Sequence, residues 1–483
     1  MADEVTVSPT SLSVSVSGTA PSLGGASSLG VTSTQLNYLF NNAVNEIQDA
    51  DTDSRVWGNA ILGGGNTAFP NKILGYSSLR TIAGGYNNII GTLGSTDQNE
   101  TINSQILAGS HGRIVSQLIN ATSKVSHGTI VGGAFNEIRN GDYGIVSGGR
   151  NNYIQEKDGY NNPGEYALIA NGFCSVIAGG YLNSAMGNTS AVLGGQSNQV
   201  ECKSSSICGG TSNSINIPLS LDNGIGAPGN PSMENSVICG GYLNSIQAAN
   251  STVIAGGQGN LVNEIPAGDG VTAGSWIAIG GGRTNKVARA STGFPLVSDC
   301  SYSVIVGGYG NLVNNYAGTI LGGQDNQVQA THATAFGRDG RARIAGAFTQ
   351  GGQKFSAVGD AQTSVLAIKC QTTNNTATTM TSMGSAPVIP TDTTWTFRAI
   401  IAARNTNNSV QESAAYEVVG CIDNHGGTVG FVGTPTVTVI GEDVAGWDVS
   451  VSTASAELRI QATGENSKTI NWVGRLELAE VTG

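Results

Sequence analysis

The stretch "SVIAGGYLNSAMGNTSAVLGGQSNQVECKSSSICGGTSNSI", residues 175–215, repeats one phrase three times: a short apolar run, two glycines and, after two more residues, an asparagine. The phrase returns as "SVICGGYLN" from Ser236, "TVIAGGQGN" from Thr252, "WIAIGGGRTN" from Trp276, "SVIVGGYGN" from Ser303 and "TILGGQDN" from Thr319. Looser copies stand earlier, at "NAILGGGN" from Asn59, "TIAGGYNN" from Thr81, "TIVGGAFN" from Thr129 and "GIVSGGRNN" from Gly144. The spacing is short and nearly fixed. Gly179, Gly194 and Gly209 are 15 residues apart, Gly240 and Gly256 are 16 apart, and Gly307 and Gly322 again 15.

A short fixed period means stacked supersecondary units. Within each unit the run of β-branched or small apolar residues is too short for a helix and has strand composition. The glycine pair supplies positive φ for a turn, and asparagine, which tolerates the left-handed region, is expected to close that turn before a second short strand such as "NQV" or "NLV". Gly179, Gly180, Asn183, Gly194, Gly195, Asn198, Gly307, Gly308 and Asn311 are the turn positions this reading singles out. The expected fold is all-β, a parallel β-roll or β-solenoid shaft of coils of about 15 residues over 59–332. Such a thin coil encloses little volume, since a strand residue advances only about 3.3 Å. The column would leave an apolar face open, so a homotrimer packed along a common axis is expected.

Composition agrees with an ordered, glycine-punctuated β protein. Only 11% of the 483 residues are charged, against about a quarter in ordinary globular proteins. Seventy glycines against 12 prolines, without a three-residue period, exclude collagen and a proline-rich linker. A net charge of -11 with no Lys/Arg cluster argues against a nucleic-acid partner. No run approaches the roughly 20 apolar residues of a membrane span, and "MADEVTVSPTSLSVSVSGTA" has neither the basic region nor the apolar core of a secretory signal. Synthesis and folding in a cytosol are the expectation. The seven cysteines have no CxxC pairing, so no disulfide framework and no zinc site is expected, and Cys208 and Cys239 read as small buried hydrophobes.

The "SxIxGGxxN" rhythm is similar to the head repeats of trimeric autotransporter adhesins, which form a trimeric left-handed parallel β-roll, and to repeats in phage tail fibres. Insertions interrupt it at "QEKDGYNNPGEY" (155–166), "NIPLSLDNGIGAPGNPSMEN" (216–235) and "NEIPAGDGVTAGS" (263–275). In a solenoid such insertions leave from one edge, either as a binding face or as decoration.

The two ends read differently. In 31–58, Leu36, Phe40, Ala43, Ile47 and Ala50 step by 4, 3, 4 and 3, the seam of a short trimeric coiled coil, with Thr32 and Gln35 as a capping box. An isolated helix packed on the shaft is the other reading. "GVTSTQLNYL" resembles a phrase of phage tail proteins, which implies that residues 1–30 are a virion-attachment segment. Downstream, "ATAFGRDGRARIAGAFTQGGQKFSAVGDAQTS" (333–364) resembles the junction of phage fibres that ends in "GDAQ". After it come eight alternating runs, from "SVLAIKCQT" to "TINWVGRLELAEV", that suggest an antiparallel β-sandwich over 365–483. "FRAIIAARNTNNSVQESAAYE", "TPTVTVIGEDVAGWDVSV" and "TINWVGRLELAEVTG" resemble a C-terminal domain of phage tail fibres and tailspikes, which implies receptor binding there.

For chemistry, the four histidines at 111, 127, 332 and 425 form no H-x-H, HExxH or GxSxG arrangement, so no metal, cofactor or catalytic residue is assigned. Glycosidase chemistry needs two carboxylates; Glu442, Asp443 and Asp448 are close in sequence, as turn acids usually are, and Asp360 and Glu165 are near local loops. Trp395, Tyr416, Trp447 and Trp472 are the receptor-binding candidates, because a ring covers the apolar face of a sugar while its rim stays wet. Tyr181, Tyr242 and Tyr309, at equivalent positions after the glycine pairs, read either as an aromatic row or as a structural stacking ladder. The resemblances imply a trimeric phage tail fibre on the virion that binds a host-surface glycan or protein through its C-terminal domain and tail or baseplate proteins through its N-terminus. A polysaccharide-depolymerising tailspike and a bacterial trimeric adhesin are the alternatives.

Overall fold

The structure, a computed structural model, describes residues 4–7, 14–17, 46–48, 60–62, 68–74, 79–92, 101–116, 125–139, 143–155, 174–216, 234–247, 249–263, 276–288, 300–407 and 409–483. The chain divides into two compact units, Met1–Asn198 and Gln199–Gly483. Both contain the coil that the repeat predicts.

In the first unit two parallel ladders run side by side. Thr81–Ile82, Gln105–Ile106, Thr129–Ile130, Ile145–Val146, Val176–Ile177 and Ala191–Val192 pair in that order. Lys72–Leu74, Ile89–Thr92, Arg113–Ser116, Glu137–Arg139, Tyr153–Gln155 and Ser184–Ala185 form the second. Strands of two to four residues suffice because each rung bonds the next. Inward side chains such as Ile106, Ile130, Ile154 and Ile177 are fully buried, while the alternate residues face out.

Glu46–Gln48 extends this second ladder, pairing parallel with Lys72–Leu74 so that Ile47 stands opposite Ile73. A strand therefore occupies part of the segment expected to be a trimeric helix: an edge of unpaired backbone groups captures a β-branched residue more firmly than two marginal heptads could. Leu36, Phe40, Ala43 and Ala50 lie outside the described residues.

The second unit repeats the pattern from Ser206–Ile207 through Val237–Ile238, Val253–Ile254, Ala278–Ile279, Val304–Ile305 and Thr319–Ile320 to Thr334–Arg338 and Phe348–Gly352. Pairing stays in register across the long insertions, which enter the sequence between the second strand of one coil and the first strand of the next. Phe348–Gly352 then turns the architecture, pairing antiparallel with Ala361–Thr372. The sheet continues through Ile470–Thr482 and Thr393–Asn405 to Ser413–His425 and Thr436–Glu442. A smaller sheet of Thr378–Thr379, Glu457–Thr463 and Asp448–Ala454 supplies Val449, Leu458 and Ile460 to the same core. This is the expected antiparallel sandwich.

The turn chemistry differs from the expectation in one respect. Asn183, Asn198 and Asn311 do not adopt the left-handed conformation; the residues before them do, with φ of 56° at Leu182, 55° at Ser197 and 65° at Gly310. The asparagines are buried instead. Asn183 Nδ2 donates to Gly179 O at 2.9 Å in its own coil and to Gly195 O at 3.0 Å in the next, while its Oδ1 accepts the Asn198 N–H at 3.1 Å. Asn311 makes the same set with Gly307, Gly323 and Asn326. Each side chain satisfies backbone groups that the turn would otherwise leave unpaired inside the coil.

In the pairs at 179–180, 194–195 and 307–308 the second glycine is the constrained one. Gly180 has φ +90° and Gly308 φ +99°, and a Cβ on either would meet the carbonyl oxygen of the next coil's glycine. Gly179, Gly194 and Gly307 have open space and no positive φ. Cys208 and Cys239 are exposed rather than buried, because they follow the inward isoleucine and alternate to the outer face; Cys202 and Cys300 are the buried thiols.

Candidate functional site

A second left-handed corner opens every coil, two residues before the first strand. Leu79, Asn103, His127, Tyr143, Trp276, Tyr302 and His332 all have φ between 52° and 61° there. This is also the corner where the insertions rejoin the coil. A β-carbon in that conformation is costly, yet the sequence repeatedly places large side chains at it.

In the second unit an aromatic row runs over four consecutive rungs, with Trp276, Tyr302 and His332 at the corner and Tyr316 one residue before the corner residue Ala317. The Trp276 and Tyr302 rings stack with centroids 5.1 Å apart, Tyr302 meets Tyr316 edge-on at 5.5 Å, and Tyr316 meets His332 at 5.5 Å. Trp276 is 59% and Tyr302 48% exposed, so these rings lie at the surface instead of filling a core. In the first unit the same corner borders a depression of about 440 Å³ lined by Leu79, Thr81, Asn103, Gln105, His127 and Thr129. Asn103 Nδ2 lies 2.9 Å from His127 Nε2, and the His127 ring stacks on Tyr143 at 4.4 Å and 3°. His127 Nδ1 has no hydrogen-bond partner among the described residues. Hydroxyl, amide and imidazole groups beside a ring face are the donor set that a neutral polyol requires.

The residues singled out from the sequence lie elsewhere. Trp395, Tyr416, Trp447 and Trp472 are all at most 2% exposed. They are the centre of the sandwich core, with Trp447 and Trp472 at 5.8 Å and Tyr416 and Trp472 at 6.1 Å, so as a surface receptor site they are corrected: inward alternation buries them. Trp472 Nε1 donates to Thr372 Oγ1 at 2.9 Å, and Tyr416 Oη to Glu442 at 2.9 Å. Tyr242 and Tyr309 do stand in one exposed column, but three rungs apart, separated by Gln258 and Arg283. The Arg283 guanidinium covers the Tyr309 ring at 5.8 Å. The row at Trp276 was legible in one signal only, an aromatic two residues before a repeat's first strand.

A buried polar cluster joins the junction to the last strand. Asp360 accepts the N–H groups of Phe355, Ser356 and Ala357 at 2.9, 2.6 and 2.7 Å. Burial alone raises this carboxyl, but those bonds outweigh it and bring it to about 2. Glu480 accepts from Ser364 Oγ and from Gln362 Nε2, and burial pushes it above the usual carboxylate range, partly opposed by these bonds and by Arg343. Among the described residues no three His, Cys, Asp or Glu side chains converge to hold a metal ion.

No family model and no curated protein matches the chain. Among solved structures it is similar to the tailspike protein gp49 of Acinetobacter baumannii bacteriophage Fri1, a capsular polysaccharide depolymerase, with 9% identity over 87% of this chain and 80% of that one and a TM-score of 0.19. The Acinetobacter baumannii phage AM24 tailspike matches at 9% identity over 93% and 80%, TM-score 0.25. The Acinetobacter phage vB_ApiP_P1 tailspike matches at 9% over 93% and 85%, TM-score 0.24. Scores of this size do not bear on function.

Proposed function

We propose that the chain is a subunit of a phage tail fibre or tailspike, a trimeric shaft that attaches a virion to glycans of the host surface. The observation that carries this reading is the row of Trp276, Tyr302, Tyr316 and His332, in which Trp276, Tyr302 and His332 are exposed and Tyr316 is half-buried. Open rings at one-rung spacing bury the apolar faces of a saccharide chain, and three copies per fibre multiply weak contacts into firm attachment. In this reading residues 1–30 dock on the tail, and 365–483 supports assembly. The outward face of its larger sheet exposes Ile400, Val419 and Val473, which packing of three copies covers.

The test is binding of full-length protein to a panel of capsular and lipopolysaccharide glycans, with its mass in solution measured in parallel. Glycan capture that weakens in Trp276→Ala and Tyr302→Ala, by a particle of three times 49.1 kDa, is expected. A monomer that binds no surface glycan overturns it.

A further inference from the structure

Cys208 and Cys239 occupy the same place on neighbouring rungs, although 31 residues of sequence separate them. Ser206 pairs with Val237 and Ile207 with Ile238, and the Cys208 N–H donates to Ile238 O at 3.0 Å. Matching positions on adjacent parallel strands point to the same side, about 4.8 Å apart. Both thiols are free and exposed. A disulfide requires Cα atoms roughly 4.4–6.8 Å apart, and one rung step falls within that range.

We propose that Cys208 and Cys239 are a modification site, closing to a disulfide between consecutive coils when the protein meets a low-molecular-weight disulfide such as oxidised glutathione. One protein thiolate attacks the glutathione disulfide and releases one glutathione thiolate. The second protein thiolate then attacks the protein sulfur of the mixed disulfide and expels the other. Two protons leave the cysteines, and two electrons pass to glutathione, which ends as two thiols. The bond ties the rung before the 217–233 insertion to the rung after it, so a chain cut within that insertion stays joined until it is reduced. Burial, and then the neighbouring Cys239, raise the Cys208 thiol above its ordinary value. Exchange through it therefore accelerates as pH rises.

The experiment incubates the full chain with oxidised and reduced glutathione at about pH 7 and about pH 8.5, near the ordinary thiol pKa. Alkylation, digestion and mass analysis follow. A peptide pair linking Cys208 to Cys239 is expected, with two of the seven thiols lost. The chain should keep its monomer mobility on a denaturing, non-reducing gel, and the link should form faster at the higher pH. Cys208→Ser and Cys239→Ser should each abolish it. Glutathione adducts on both cysteines without closure, a link between two copies, or no thiol loss at any glutathione ratio overturns the proposal, and the wild-type result stands whether or not the variants fold.

Discussion

Asn183 and Asn198 lie on successive coils, and the Asn198 N–H donates to Asn183 Oδ1 at 3.1 Å while Asn198 Nδ2 reaches the same oxygen at 3.2 Å. The repeat's asparagine is thus a rung of a buried side-chain ladder. Its removal leaves a backbone N–H of the next coil and the glycine carbonyl of its own coil without a partner, while the next coil's glycine carbonyl keeps a backbone N–H; this costs about 1–3 kcal/mol. Asn311→Ala, with the same partners, is expected to lower the thermal midpoint by that equivalent. Asn311→Asp is expected to do so too, because it keeps the acceptor and loses both donors. An unchanged midpoint in both would remove the ladder from the account of stability.

The glycine pair gives a sharper comparison. Gly307→Ala places a methyl in open space at an ordinary φ, whereas Gly308→Ala meets φ +99° and the Gly323 carbonyl. Gly307→Ala should change stability by less than about 1 kcal/mol, and Gly308→Ala should cost at least about 2. Chemical denaturation of the two variants side by side measures this, and equal effects would contradict the assignment of the turn to the second glycine.

How far the fold could be read in advance follows from these positions. Period, strand composition and the glycine pair are local, so the coil and its parallel stacking were legible. The role of asparagine was not: left-handed tolerance is a property of the residue alone, while the ladder exists only once a second coil lies beneath it. The aromatics failed for a related reason. Trp395 and Trp472 sit in alternating strands whose inward face is set by register, whereas Trp276 is exposed because a left-handed corner turns it out of the coil. Sequence shows that a ring is present, but not which way it faces.

That difference separates binding from folding. Trp472→Ala removes a core ring and its bond to Thr372, and is expected to cost about 3–5 kcal/mol. Trp276→Ala removes an exposed ring and should leave the unfolding midpoint nearly unchanged while weakening glycan binding several-fold, up to about tenfold, the equivalent of about 1.4 kcal/mol. Paired unfolding and binding curves check both. The reverse pattern would return the binding site to the sandwich.

The junction carboxyls should give opposite pH signatures. Asp360 is lowered to about 2 in the folded chain, so its contribution is present above the unfolded value of about 3.9 and is lost as pH falls through about 2. Glu480 is raised, so the folded state holds its proton longer than the unfolded one, and its contribution is present below about 4.3 and lost as pH climbs through its folded value. The gap in thermal midpoint between wild type and Asp360→Asn should therefore shrink as pH is taken from about 4 to about 2. Glu480→Gln keeps the shape of the protonated acid without the charge. It should gain on wild type as pH rises above about 4.3, because it escapes the cost of ionising a carboxyl beneath the last strand. Midpoint-against-pH curves for the three proteins decide the matter: if all three run parallel, the two carboxyls are equally open to water and the cluster does not couple folding to protonation.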